Sequence, residues 1–512
     1  MIEIRNVSFQ YANADGEVLK ELSLSIRSGE CVLLCGESGC GKTTITRLIN
    51  GLIPHYYEGE LSGRTLVCGC DVSERELYET AGHVGSVFQN PRSQFFCVDT
   101  TSELAFGCEN LGLSENAVRE RIQEASEELN MTHLLGKNIF ELSGGEKQKV
   151  ACASVSAMRP EVLVLDEPTS NLDMSAIENL KETLRYWKSR GKTIVIAEHR
   201  LYWLKDICDR VIYLKDGRIG FDIPMTELCT YPREKICDLG LRTLSMKDLP
   251  LNDMDYRGTG ELNLRNYYFS YGGNQVLDIP ALSVPAGGVI ALIGHNGAGK
   301  STFSRCLCGL EKQFKGRTRL DGKDYGRRNM LKKCYMVMQD VNHQLFCESV
   351  KDEVLLGMQD EIKEKAEAVL AALDLDTVCE RHPMSLSGGQ KQRVAVASAL
   401  LADKSILLFD EPTSGLDFHH MEQTAQLLRS ISGGRTVFVV THDPELIVRC
   451  CTHILQLENG RAAACYPLNE ENRSRLFDFF AAGSLQQKYR DGAKKCLKAA
   501  EFSREIIYDT VH

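Results

Sequence analysis

The chain contains the same set of short segments twice, in the same order, and that repetition limits its fold more than any other feature. Gly36-Glu37-Ser38-Gly39-Cys40-Gly41-Lys42-Thr43-Thr44 returns as Gly294-His295-Asn296-Gly297-Ala298-Gly299-Lys300-Ser301-Thr302, an offset of 258 residues. Leu142-Ser143-Gly144-Gly145-Glu146 returns as Leu386-Ser387-Gly388-Gly389-Gln390, an offset of 244 residues. Asp166-Glu167-Pro168-Thr169-Ser170, with Leu172-Asp173 behind it, returns at that same offset as Asp410-Glu411-Pro412-Thr413-Ser414 and Leu416-Asp417. Repeated order of this kind marks a tandem duplication. The 512 residues are therefore expected to form two copies of one domain rather than a single core. The offsets differ by 14 residues, so the first copy is expected to carry extra loop between its first two motifs. The copies span 1–224 and 260–466. Residues 225–259 carry five Lys/Arg against six Asp/Glu and read as a neutral tether with some local structure, and 467–512 as a helical, amphipathic extension.

Composition narrows the function classes. With 60 Lys and Arg against 70 Asp and Glu the net charge is −10, which argues against a nucleic-acid binder that relies on overall charge. No apolar run reaches the roughly 18–20 residues that span a bilayer, and the N-terminus lacks a basic start followed by an apolar stretch. A cytosolic chain is expected. The 20 cysteines include no Cys-x-x-Cys pair, so they read as free thiols rather than a zinc site or a disulfide framework.

Each motif has a physical rationale. Cys31-Val-Leu-Leu-Cys35 and Val289-Ile-Ala-Leu-Ile293 read as fully buried parallel strands. Each runs into a Gly-x4-Gly-Lys-Ser/Thr loop and then a helical pattern. Such a loop turns successive backbone N–H groups toward a phosphate, and the helix N-terminus adds its positive end. Lys42 and Lys300 would reach the β/γ-phosphates, while Thr43 and Ser301 offer hydroxyls to Mg²⁺. The strands Val162–Leu165 and Ile406–Phe409 each end in two carboxylates, Asp166-Glu167 and Asp410-Glu411, at the sheet edge where α/β ligands bind. The Asp suits Mg²⁺ and the Glu suits polarising an attacking water.

Together these residues resemble the ATP-binding-cassette (ABC) ATPase family, over nearly the whole chain apart from the connection and the tail. Leu-Ser-Gly-Gly-Glu/Gln is the family's signature. Gln89 and Gln339 match its Q-loop glutamine, His199 and His442 its switch histidine, Asp173 and Asp417 its D-loop, and Tyr11 and Tyr271 its adenine-stacking aromatic. The resemblance implies an α/β fold: two P-loop domains, each a RecA-like, mainly parallel sheet with an antiparallel β subdomain and a helical signature subdomain. It implies ATP and Mg²⁺ as ligands, with Thr43, Asp166 and Gln89, and Ser301, Asp410 and Gln339, toward the metal. It also implies an intramolecular head-to-tail dimer. Site one would join Lys42, Thr43, Gln89, Asp166, Glu167 and His199 to Ser387, Gly388 and Gly389. Site two would join Lys300, Ser301, Gln339, Asp410, Glu411 and His442 to Ser143, Gly144 and Gly145. Neither set is degenerate, so both are expected to hydrolyse ATP. Cys40, inside the first phosphate loop, carries two readings: inert packing, and a thiol whose pKa is lowered beside the helix N-terminus, which predicts alkylation that ATP protects against.

The neighbourhood of the two glutamines points further. Gln89-Asn-Pro-Arg-Ser-Gln94-Phe95-Phe96 and Gln339-Asp-Val-Asn-His-Gln344-Leu345-Phe346 share a second glutamine followed by apolar residues. They resemble the energy-coupling factor (ECF) class of vitamin and metal-ion importers, as does Glu198-His199-Arg200-Leu201. That resemblance implies a transmembrane scaffold subunit and a small membrane substrate-binding subunit, docked near Gln94, Phe95, Phe96, Gln344, Leu345 and Phe346 at the cytoplasmic face of the cell membrane, with no nucleic acid. Two alternatives stay open: a soluble tandem ATPase acting on the ribosome or nucleic acid, and a sugar-importer ATPase.

Overall fold

The computed structural model describes residues 1–481 apart from positions 13, 15, 171, 247, 248, 252–255, 257, 259, 357, 359–362, 403, 432 and 433. The apolar runs that lead into the motifs form the centre of each half. Cys31–Gly36, Val162–Asp166 and Thr193–Ala197 are almost entirely buried, as strands covered on both faces must be. They lie in a six-stranded sheet ordered Arg218–Pro224, Arg210–Lys215, Cys31–Gly36, Thr193–Ala197, Val162–Asp166, Val84–Val87. Only the outer hairpin Arg210–Lys215/Arg218–Pro224 is antiparallel. Cys334–Val337, Ile406–Asp410, Thr436–Val440, Val289–Ile293, His453–Glu458 and Arg461–Pro467 repeat this sheet in the second half. Because the inner strands are parallel, their C-terminal ends gather on one edge, and the loops after Gly36, Asp166 and Ala197 meet there.

A four-stranded antiparallel sheet covers one face of each core. In the first half its strands are Leu19–Ile26, Ile2–Tyr11, Gly59–Val67 and Cys70–Asp71; in the second, Asn274–Pro285, Glu261–Tyr271, Arg317–Leu320 and Lys323–Tyr325. The opposite side carries the signature helices Gly144–Ala157 and Gly388–Leu401, with the helices that precede them. Most of the extra length of the first copy is regular structure rather than loop. Gly59–Val67 has 9 residues where Arg317–Leu320 has 4, and Thr100–Asn110 has 11 where Val350–Leu355 has 6.

The connection expected as a tether is packed over most of its described length. Met225–Leu228 and Arg233–Asp238 are helical; Met225, Leu228, Ile236 and Leu241 join the first core, and Leu249 joins the second. The apolar spacing of Arg473-Ser-Arg-Leu-Phe-Asp-Phe-Phe480 does form a helix, over 473–481, which buries Leu476 and Phe480 in the second core. The second amphipathic stretch, around Lys494–Lys498, lies outside the described residues. Every described cysteine is a free thiol, and no helix among the described residues is long and apolar enough to cross a membrane.

Candidate active sites

The two phosphate loops are built alike. Gly36 and Gly294 have φ of 142° and 159°, and a Cβ at either position would run into the backbone oxygen of Leu214 or Leu457, so only glycine fits. Lys42 Nζ donates to the carbonyl oxygens of Gly36 and Glu37, both at 2.9 Å; Lys300 Nζ donates to those of Gly294 and His295 at 2.6 and 3.1 Å. Each ammonium group thus lies in the cradle of its own loop. Burial lowers the Lys300 pKa, and Glu411 opposes that shift.

The carboxylate pairs leave their strands in a constrained conformation. Glu167 and Glu411 have φ of 44° and 51°, the left-handed region, which costs an L-residue roughly 1–2 kcal/mol. Their backbone N–H groups are fixed on the Ala197 and Val440 carbonyls, each at 2.8 Å. Burial pushes Asp166 up to about 6, helped by Glu167, and Asp410 up to about 6 as well. Thr43 Oγ1 donates to Asp166 Oδ1 at 3.1 Å. A buried carboxylate beside a hydroxyl is a donor set of hard oxygens, which suits Mg²⁺. In the second half Asn296, Lys300, Ser301, Gln339, Asp410 and His442 line one cavity of about 230 Å³.

Around the glutamates the halves diverge. Gln89 Nε2 donates to Glu167 Oε2 at 2.7 Å, and His199 Nε2 lies 3.4 Å from Glu167 Oε1. Glu411 accepts from the His442 backbone N–H at 3.1 Å and from Thr441 Oγ1 at 3.1 Å, with His442 Nε2 3.9 Å away. Burial drives Glu411 up to about 7, opposed by Arg200 from the first half. His442 is held down at about 3 by burial and by Lys300, so its imidazole is neutral.

Cross-interface contacts join the halves head to tail. Asp417 Oδ2 accepts the Ser38 N–H at 2.7 Å, and Asp173 Oδ2 accepts the Asn296 N–H at 3.1 Å. Burial works against Asp417, but hydrogen bonds from His420 and backbone N–H groups hold it well below the carboxylate range. Ser414 Oγ donates to the Ser170 carbonyl at 2.7 Å. Ser143 and Ser387 cap their own signature helices, each exchanging hydrogen bonds with the residue at the motif's end, Glu146 or Gln390. Gly144 shares a cavity of about 350 Å³ with Asn296 and Gln339 of the other half.

Three sequence expectations change here. Cys40 lies 3.8 Å from Lys42 Nζ, yet burial raises its thiol above the usual range because the desolvation cost exceeds the pull of the ammonium. Gln94 and Gln344 do not face outward. Gln94 bonds the Ser86 carbonyl and the Phe88 N–H, and Gln344 the Met336 carbonyl and the Met338 N–H, so each staples its loop to a strand end. Leu345 is buried in the second core and Phe95 packs against the first, which leaves Phe96 and Phe346 as the outward groups at 75% and 70% exposure. The two tyrosines sit alike: the Tyr11 hydroxyl hydrogen-bonds Thr44 Oγ1 at 3.2 Å, and the Tyr271 hydroxyl interacts with Thr302 and donates to Glu311 at 2.9 Å.

The sequence reading missed Glu103 and Glu353. Glu103 accepts the N–H groups of Phe96 and Cys97 at 3.0 and 2.9 Å, and Glu353 those of Phe346 and Cys347, both at 2.8 Å. The signal was present: Phe-Cys followed by Glu six residues after the Cys occurs in both copies.

Comparison with known proteins agrees with this geometry. The ABC transporter family model matches residues 19–170 and 277–414. A Treponema denticola protein described as an ABC transporter ATP-binding protein is 44% identical over 469 residues, covering 90% of this chain and 96% of its own. A Bacillus subtilis protein described as an HMP/thiamine import ATP-binding protein is 32% identical, with 90% of each chain covered. Among solved structures, a model of ribosome-bound archaeal Pelota and ABCE1 superposes with a TM-score of 0.66 at 20% identity, covering 92% of this chain and 80% of that one, a likeness of fold.

Proposed function

Since the chain belongs to the ABC transporter ATP-binding family and is a tandem ATPase, we propose that it powers import of a small micronutrient, a vitamin or metal ion, through separate membrane subunits of the ECF type. One observation carries this reading. Phe96 and Phe346 stand outward at equivalent places in the two halves, each fixed by a buried glutamate, and in the first half Gln89 joins the start of that loop to Glu167. Aromatic groups held in this way suit docking of a partner helix more than solvent exposure. The name of the Bacillus subtilis relative supports the same substrate class.

In this reading ATP binds at two composite sites between the halves. Lys42 and Lys300 give up loop carbonyls for phosphate oxygens, and the backbone N–H groups of each loop complete the cradle. Mg²⁺ would be held by Thr43 and Asp166, and by Ser301 and Asp410, where it neutralises phosphate charge; Gln89 and Gln339 are the remaining candidates for its shell. Glu167 and Glu411 polarise the attacking water, and His199 and His442 orient it from the neighbouring strand. Asp173 and Asp417 make each phosphate loop sensitive to the position of the other half. Closure of the interface on ATP and its release after hydrolysis would then move the surfaces bearing Phe96 and Phe346.

Detergent pull-down of the tagged protein from its native membranes tests the proposal. A multi-span scaffold with a small membrane substrate-binding subunit is the expected co-purifying material. Ribosomes or nucleic acid in their place would overturn it.

A further inference from the structure

The switch loop of site two is anchored by a residue outside both duplicated segments. Arg242, in the connection between the halves, is among the most deeply buried side chains, at 2% exposure. Its guanidinium bridges Asp443 and Glu445, with Nε 2.7 Å from Glu445 Oε2, and the Thr243 N–H donates to Glu445 Oε1 at 3.0 Å. Asp443 directly follows His442 and caps the helix Pro444–Cys450, and Glu445 lies in that helix's first turn. Asp443 Oδ2 also accepts from Thr413 Oγ1 at 3.0 Å, and its N–H donates to Thr441 Oγ1 at 3.0 Å. Thr441 in turn donates to Glu411. An unbroken line of contacts therefore runs from the connection to the glutamate of site two.

Site one is wired differently at the corresponding positions. Glu198, Arg200 and Tyr202 stand where site two has Thr441, Asp443 and Glu445. Buried Glu198 accepts from Thr169 Oγ1 at 2.6 Å and from the N–H groups of His199 and Arg200 at 2.7 and 3.0 Å. Arg200 returns Nη1 to the Thr169 carbonyl at 3.3 Å. The first half supplies all of these hydrogen bonds itself; the Arg200 charge also reaches Asp443 across the interface, but an arginine at position 200 gives Arg242 no equivalent acid to hold there.

We propose that Arg242 is a positioning residue for site two alone. By holding Asp443 and Glu445 it fixes the loop that presents His442 and the N–H on Glu411, so turnover at the second site depends on the seating of the connection. Removing one partner of a buried ion pair leaves the other charges uncompensated, so the loop they belong to is the part that loosens. The inference rests on the reading that both sites hydrolyse ATP.

The test combines Arg242→Met with Glu167→Gln, which leaves site two as the working site, and separately with Glu411→Gln, which leaves site one. In the first background kcat should fall by about 10- to 100-fold, the scale of a small misplacement of catalytic groups, with KM for ATP changing less than about twofold. In the second, kcat should stay within about twofold. Arg242→Lys should restore part of the loss, and if Arg242→Met is insoluble, Glu445→Gln gives the same readout with the shape kept. Amide hydrogen exchange over 441–447, which should rise in the variant while exchange over 198–204 does not, reads the positioning without relying on turnover. Equal losses in both backgrounds, no loss in the Glu167→Gln background, or unchanged exchange over 441–447 would each overturn the proposal. If the Glu167→Gln and Glu411→Gln parents both lack turnover while exchange over 441–447 still rises, the two-site reading fails and the positioning role stands.

Discussion

The two proposed nucleotide sites have phosphate loops built alike and differ most at the turn after His199 and His442. Site one surrounds His199 with Glu198, Arg200 and the Thr169 hydroxyl, a set contained within its own half. Site two surrounds His442 with Thr441 and Asp443, and the hydrogen-bonded balancing charge arrives from Arg242 in the connection, with Arg200 of the first half adding to it from a distance. On the roles proposed above, a duplicated enzyme would keep its chemistry symmetric while its control becomes asymmetric. A buried charge at one position obliges an opposite charge somewhere, and here the two copies found it in different parts of the chain.

The largest expected effect breaks both sites at once. Glu167→Gln with Glu411→Gln should lower steady-state ATP turnover by about 10²–10⁴-fold, the usual contribution of a positioned proton acceptor. Next come the cross-interface aspartates. Asp417→Ala removes the acceptor of the Ser38 N–H, a loss of about 0.5–1.5 kcal/mol, and should slow site one in the Glu411→Gln background. Asp173→Ala should do the same to site two in the Glu167→Gln background, through Asn296. A reversal of that pattern would break the head-to-tail assignment.

Protonation sharpens the comparison further. Burial sets Glu411 at about 7, and only its ionised form can polarise water, so site-two turnover should fall as pH drops through about 7. A pH–rate profile of the Glu167→Gln enzyme checks this. A smaller effect concerns docking. Phe96→Ser and Phe346→Ser should each weaken co-purification of membrane subunits while changing stability by no more than about 0.5 kcal/mol, measured by denaturant titration. Smallest of all, Cys40 should alkylate slowly with or without ATP, because its thiol is buried and raised.

The sequence made the motif geometry legible because the duplication supplied its own control. Lys42 and Lys300, or Glu167 and Glu411, could be paired by offset, and buried parallel strands leave few places for their loops to go. The repeat was less informative where a residue type serves two ends. Gln94 and Gln344 are polar residues beside a loop, and only the fold shows that their amides complete strand-end hydrogen bonds. For Cys40 the packing reading holds and the lowered-pKa reading fails, because a helix N-terminus is visible in a pattern while desolvation is not. Arg242 could not be found by repetition at all. It lies in the connection, and its partners Asp443 and Glu445 are about 200 residues away.

The most direct test of two complete, unequally wired sites is ATP turnover of Glu167→Gln and Glu411→Gln measured side by side. Each single variant should keep part of the wild-type rate, and the Glu167→Gln enzyme should lose activity as pH drops through about 7. Full wild-type turnover in either variant would contradict the claim, since the altered site would then contribute nothing.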